Sequence, residues 1–118
     1  MTTPPRRGRR RPDSPELRRL RGAIDGVDRR IVGLLNERAE LTLAVGEEKA
    51  RLRGPIRDAG REREVLLRVS IANEGPTPQA DLLAIFRRVI AAARALESRQ
   101  RERRRNDEPD PPGEPPGA

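Results

Sequence analysis

The chain has 118 residues and a formal net charge of +7, and it contains neither cysteine nor histidine. That length allows one domain at most, and the two absences exclude disulfides, thiolate metal sites and Ser-His or Cys-His catalysis. No apolar run approaches the ~20 residues needed to span a bilayer, and the arginine-rich start lacks an apolar signal core, so a soluble, cytoplasmic protein is expected.

Residues 1–13 are rich in proline, arginine and glycine, and disorder is expected there. Ser14-Pro15-Glu16 is a helix start: a hydroxyl N-cap, proline at the first helical position and an acid in the first turn. The helical pattern then runs to about Leu52, where Arg53-Gly54-Pro55 stops it. Asp58 is placed to cap a second helix that reaches about Ala72, with Val65, Leu66, Val69 and Ala72 on its apolar face. Asn73-Glu74-Gly75-Pro76 ends it. Thr77-Pro78 is expected to cap a third helix, running to about Arg99 and carrying Leu82, Leu83, Phe86, Val89, Ile90, Ala93 and Leu96. Residues 101–118 turn charged and then Pro/Gly-rich, and disorder is expected again. No stretch alternates as a strand does, so the folded part, residues 14–100, is all-α.

The positive charge is concentrated in the tails. Arg6, Arg7, Arg9, Arg10 and Arg11 crowd the first, and Arg101, Arg103, Arg104 and Arg105 open the last. Phe86 is the only aromatic residue, so there is no stacking platform for single strands or RNA. Solvated basic tails are the expectation, and nucleic acid is not the expected partner.

The first helix carries the most specific signal. Leu17, Leu20, Ile24, Val27, Ile31 and Leu34 alternate steps of three and four; the next position in phase is Arg38, after which Leu41 and Val45 resume. Arg21 and Lys49 border the same face. A cation facing a packed seam costs several kcal/mol unless an anion meets it. Three such cations point to a pocket for a small, multiply charged anion. The same phase puts Glu62 of the second helix beside Val65, Leu66 and Val69, and Glu97 of the third in line with Phe86, Ile90 and Ala93. The first helix is also too long to be covered by the other two. It would extend about 57 Å at ~1.5 Å per residue, against a radius of gyration near ~13 Å for a compact domain of ~100 residues. Pairing of two long helices in a homodimer is the expected solution.

With these residues in view, the chain closely resembles the all-helical chorismate mutases of the shikimate pathway. The matching text is Leu20-Arg21-xx-Ile24-Asp25-xx-Asp28, Leu34-Leu35-Asn36-Glu37-Arg38, Val45-Gly46-xx-Lys49 and Gly54-Pro55-Ile56-Arg57-Asp58-xx-Arg61-Glu62. Asn73-Glu74-Gly75-Pro76 and Ile85-Phe86-Arg87 fit as well. The resemblance implies an intertwined six-helix homodimer of three-helix chains, with two sites that each borrow an arginine from the partner. It implies that Arg21 reaches into the partner's site and binds one substrate carboxylate, and that Arg38 holds the other within its own chain. Lys49 is implied to contact a carboxylate and the ether oxygen. Asp58 and Glu62 match the pair near the ring hydroxyl, Arg61 the arginine supporting that loop, and Glu97 the glutamine or glutamate facing the ether oxygen. Ala93 departs from those members that have a serine there, which removes a minor hydrogen bond.

The implied chemistry suits the residue inventory. Chorismate becomes prephenate by a Claisen rearrangement, which needs no nucleophile, proton shuttle, metal or cofactor. Holding the dianion in a chair-like conformer lowers the barrier, and donors at the ether oxygen stabilise the charge that grows as the C–O bond breaks. Lys49 and a protonated Glu97 would be those donors. Mutases of 4-amino-4-deoxychorismate, isochorismate pyruvate lyases and a noncatalytic nucleic-acid-binding dimer are the alternatives, in that order. A free-standing, monofunctional isomerase is expected.

Overall fold

A computed structural model describes residues 13–108 and Gly113. It contains three helices, α1 (Pro15–Arg51), α2 (Ala59–Ala72) and α3 (Gln79–Asp107), and no strand among the described residues. None of these helices is long and apolar enough to cross a membrane. The chain divides into two units between Glu37 and Arg38. The first holds the N-terminal part of α1; the second holds its remainder with α2 and α3.

In the first unit, Ser14 caps α1 as its hydroxyl implies, its Oγ accepting from the backbone N–H of Leu17 at 3.0 Å. Glu16 in the first turn pairs with Arg19, whose guanidinium holds the exposed carboxyl below its ordinary range. Asp13 ties down two arginines: its carbonyl accepts from Arg18 at 2.9 Å and its carboxylate from Arg21 at 2.7 Å. The apolar stripe is open along this stretch. Leu20, Ile24, Val27, Ile31 and Leu34 are between 42% and 63% exposed.

In the second unit, α1 ends in a paired cap. The N–H of Gly54 donates to the carbonyl of Lys49 at 2.8 Å and that of Arg53 to Ala50 at 3.1 Å. This is the Schellman arrangement, with Arg53 in the left-handed region at φ 55° where glycine would be the relaxed choice. The turn brings the chain back to Asp58, which caps α2 by accepting from the N–H of Arg61 at 2.9 Å. At the far end of α2, Asn73 donates to the Thr77 carbonyl and to Gln79, and its Oδ1 accepts from Gly75, which sits at φ 77°. Asn73 thereby organises the whole connection into α3.

α2 packs on α3, burying Ile90 and half-burying Val65, Leu66, Val69, Leu82, Leu83, Phe86, Val89, Ala93 and Leu96. Ala72 is exposed. The sequence expectation also needs correction at both ends of α3. Thr77 makes no cap; Pro78 takes that position without a side-chain hydrogen bond. The helix also does not stop near Arg99 but continues to Asp107. Arg101 donates to the Gly54 carbonyl at 3.0 Å and Arg104 lies 3.9 Å from Glu47, so the end of α1 supplies partners for an arginine run that also has good helix propensity. The remaining tail residues, 1–12, 109–112 and 114–118, lie outside the described residues.

Candidate functional site

A cavity of about 280 Å³ opens within the second unit, lined by side chains from all three helices and the α1–α2 connection. α1 contributes Arg38 and Lys49, the connection Asp58, α2 Arg61 and Glu62, and α3 Glu97. Six of the seven residues singled out in the sequence therefore meet at one place. Arg21, in the first unit, is exposed and paired with Asp13.

Lys49 and Glu97 form the most constrained pair. The Lys49 Nζ donates to the Ile56 carbonyl at 2.6 Å and to Glu97 Oε1 at 3.1 Å. Glu97 is 6% exposed and Lys49 26%, so the contact is largely withdrawn from water. An ammonium has three donors; with two engaged, the third is oriented and available to a ligand. The backbone carbonyl at Ile56 is where it is because of the cap that ends α1. Four cationic and three acidic side chains line the cavity, an excess of positive charge that suits an anion. Next to Lys49 in the chain, Glu48 pairs with Arg51 at the surface, which holds that carboxyl below its ordinary range.

Residues 20–98 match the family model for chorismate mutase type II. The chain belongs to that family. It is 40% identical over 88 residues to the bifunctional chorismate mutase/prephenate dehydratase of Aquifex aeolicus (strain VF5), a match that covers 71% of this chain and 24% of that protein. The enzyme of the same description from Neisseria gonorrhoeae is 40% identical over 77 residues, 65% of this chain and 21% of the relative. The chain thus spans less than a quarter of the length of these relatives. The solved form II structure of chorismate mutase from Thermus thermophilus superimposes with a TM-score of 0.70 at 34% identity, covering 72% of this chain and 97% of that one.

In this chorismate mutase family member two polar lining residues were not anticipated, Thr42 and Arg94. Arg94 lies four residues after Ile90 and three before Glu97, so the phase that placed Glu97 inward also places Arg94 there. Its Nε is 3.5 Å from Glu62 Oε2.

Gly46 has a role that the motif alone does not explain. It is buried on α1, and a Cβ there would lie 2.7 Å from Gln100 Oε1 and 3.3 Å from Glu97 Cγ. Gln100 can swing away, but Glu97 is held by Lys49 and must shift by a few tenths of an ångström. Gly46→Ala gains helix propensity of about 1 kcal/mol while displacing the carboxyl group. We expect kcat/KM to fall by roughly 10- to 100-fold with little loss of thermal stability. Unchanged activity, measured beside a melting curve, would show that the glycine is not protecting the Glu97 position.

Proposed function

We propose that this chain is a chorismate mutase acting on chorismate, with Arg38, Lys49 and Glu97 as its catalytic groups and Arg21, Asp58, Arg61 and Glu62 completing the substrate site. The observation that carries the reading is the convergence of Arg38, Lys49, Glu62 and Glu97 on one cavity in a member of this family. Arg38 and Lys49 bind the carboxylates and hold the flexible dianion compact, which converts conformational entropy into rate. The free N–H of Lys49 and a protonated Glu97 donate to the ether oxygen, where negative charge accumulates as the C–O bond breaks. No proton is exchanged in the step and no cofactor is called for. Glu62 accepts from the ring hydroxyl, and the uncommitted oxygen of Asp58 lies on the same side of the site as a second acceptor. Asp58 also supports the site through its cap on α2, which is worth about 1 kcal/mol.

The working form in this proposal is an intertwined homodimer. In a single chain the seam residues Leu20 to Val45 on α1 stay 42–64% exposed, an apolar surface too continuous to be left in water. A second copy offers the same stripe under twofold symmetry, and brings its Arg21 toward the pocket.

The test is turnover by the purified full chain, offered chorismate, 4-amino-4-deoxychorismate and isochorismate in parallel. Prephenate from chorismate, at the highest kcat/KM of the three, is the expected result. Pyruvate release from isochorismate as the main reaction, or no turnover of any, overturns the reading.

A further inference from the structure

Glu62 stands between two cavities. Besides the one described, a second of about 300 Å³ is lined by Arg57, Arg63, Arg87 and Leu66 and shares Glu62, Ile90 and Arg94 with the first. Two guanidinium groups approach the same carboxylate oxygen: Arg94 Nε at 3.5 Å and Arg57 Nε at 3.8 Å from Glu62 Oε2. Glu62 is 19% exposed, and neither its Oε2 nor the Arg94 Nε, both cut off from solvent, makes a hydrogen bond. The coupling is therefore Coulombic, across a short gap; Arg94 is 37% exposed and Arg57 67%, so water screens the Arg57 contribution more.

We propose that Arg94, assisted by Arg57, is a specificity-determining residue that sets the site's preference for a ring hydroxyl over a ring ammonium. The inference rests on the chorismate-site reading given above. An uncompensated carboxylate would favour a protonated amine strongly, because it gains a charge–charge attraction that a neutral hydroxyl does not. With two cations beside Oε2, Glu62 keeps lone pairs for a hydroxyl donor but attracts an ammonium less than an uncompensated carboxylate would. Arg63 on α2 and Arg87 on α3 add to that bias, Arg61 does so less because it is paired with Glu64 at 3.2 Å, and Asp58 and Glu97 are the further acidic groups lining the cavity. Discrimination of this kind comes from a repulsive element facing the wrong ligand.

The experiment is the ratio of kcat/KM for chorismate to that for 4-amino-4-deoxychorismate, in wild type, Arg94→Met, Arg94→Lys and Arg57→Met. Arg94→Met should lower the ratio about tenfold or more near neutral pH, whereas Arg94→Lys should keep it close to wild type. Arg57→Met, at the more exposed cation, should move it in the same direction by a smaller factor. In alkali strong enough to neutralise the amine, the difference between wild type and Arg94→Met should close. An Arg94→Met enzyme that loses both substrates equally, or an unchanged ratio in the folded variants, overturns the proposal. If Arg94→Met does not fold, an unmoved ratio in Arg57→Met overturns it as well. A wild type that converts chorismate while the ratio stays fixed removes this inference alone; a wild type that converts neither substrate removes the site reading and this inference with it.

Discussion

Chains carrying Arg21→Ala and Arg38→Ala, each reduced on the order of 10²- to 10³-fold by itself, should regain about a quarter of wild-type turnover when unfolded and refolded together as an equal mixture. Half of the dimers formed at random carry one chain of each kind. In such a dimer one pocket lacks both arginines and the other has both. That outcome requires Arg21 to act in the partner's pocket while Arg38 acts in its own. The geometry motivates the pairing. Arg38 lines the cavity of its own second unit, whereas Arg21 lies in the first, exposed and paired with Asp13 at 2.7 Å. An exposed ion pair of this kind contributes little to stability, so Asp13 can release Arg21 to a ligand at small cost. Sedimentation should first show twice the 13.2 kDa chain mass. A folded and active monomer, or verified mixed dimers without recovered activity, would refute the crossed assignment.

What could be read from the sequence depended on how local each signal is. Ser14 and Asp58 were legible as caps because an N-cap bonds within three residues, a distance that the sequence contains by itself. Glu62, Glu97, Arg38 and Lys49 were legible through helical phase, since the period that buries Ile90 also aims polar residues in line with it. Arg94 obeys the same phase and went unread because its neighbours Ala93 and Glu97 already accounted for the inward stripe. Arg53 and Thr77 show the opposite case. A left-handed arginine at the end of α1 follows from Gly54 and Pro55 continuing into a turn that presents the Ile56 carbonyl to Lys49, a tertiary requirement with no sequence marker. Similarly, α3 extends beyond Arg99 because Arg101 finds the Gly54 carbonyl, a partner 47 positions away in the chain. Arginine-rich text reads as solvated until such a partner is known.

Glu97→Gln should keep substantial activity, whereas Glu97→Ala should lose most of it. In the free protein Glu97 Oε1 accepts from Lys49 Nζ at 3.1 Å, and Lys49 is steadied from the other side by the Ile56 carbonyl at 2.6 Å. The side chain is 6% exposed, so its charge acts on the cavity with less screening than a surface carboxylate's would, offset in part by Lys49. An ionised Glu97 repels the negative charge that develops on the ether oxygen, whereas a protonated one donates to it. The sign follows directly: a side chain at position 97 that always donates should retain turnover that alanine loses. A glutamine side chain retains an N–H donor at every pH, and its carbonyl oxygen can still accept from Lys49. Lys49→Ala removes the second donor and leaves Glu97 buried without its partner, and should cost on the order of 10²- to 10³-fold in kcat. The decisive measurement is kcat/KM for wild type, Glu97→Gln and Glu97→Ala. A glutamine variant as inactive as the alanine one would mean that Glu97 is not a donor to the ether oxygen.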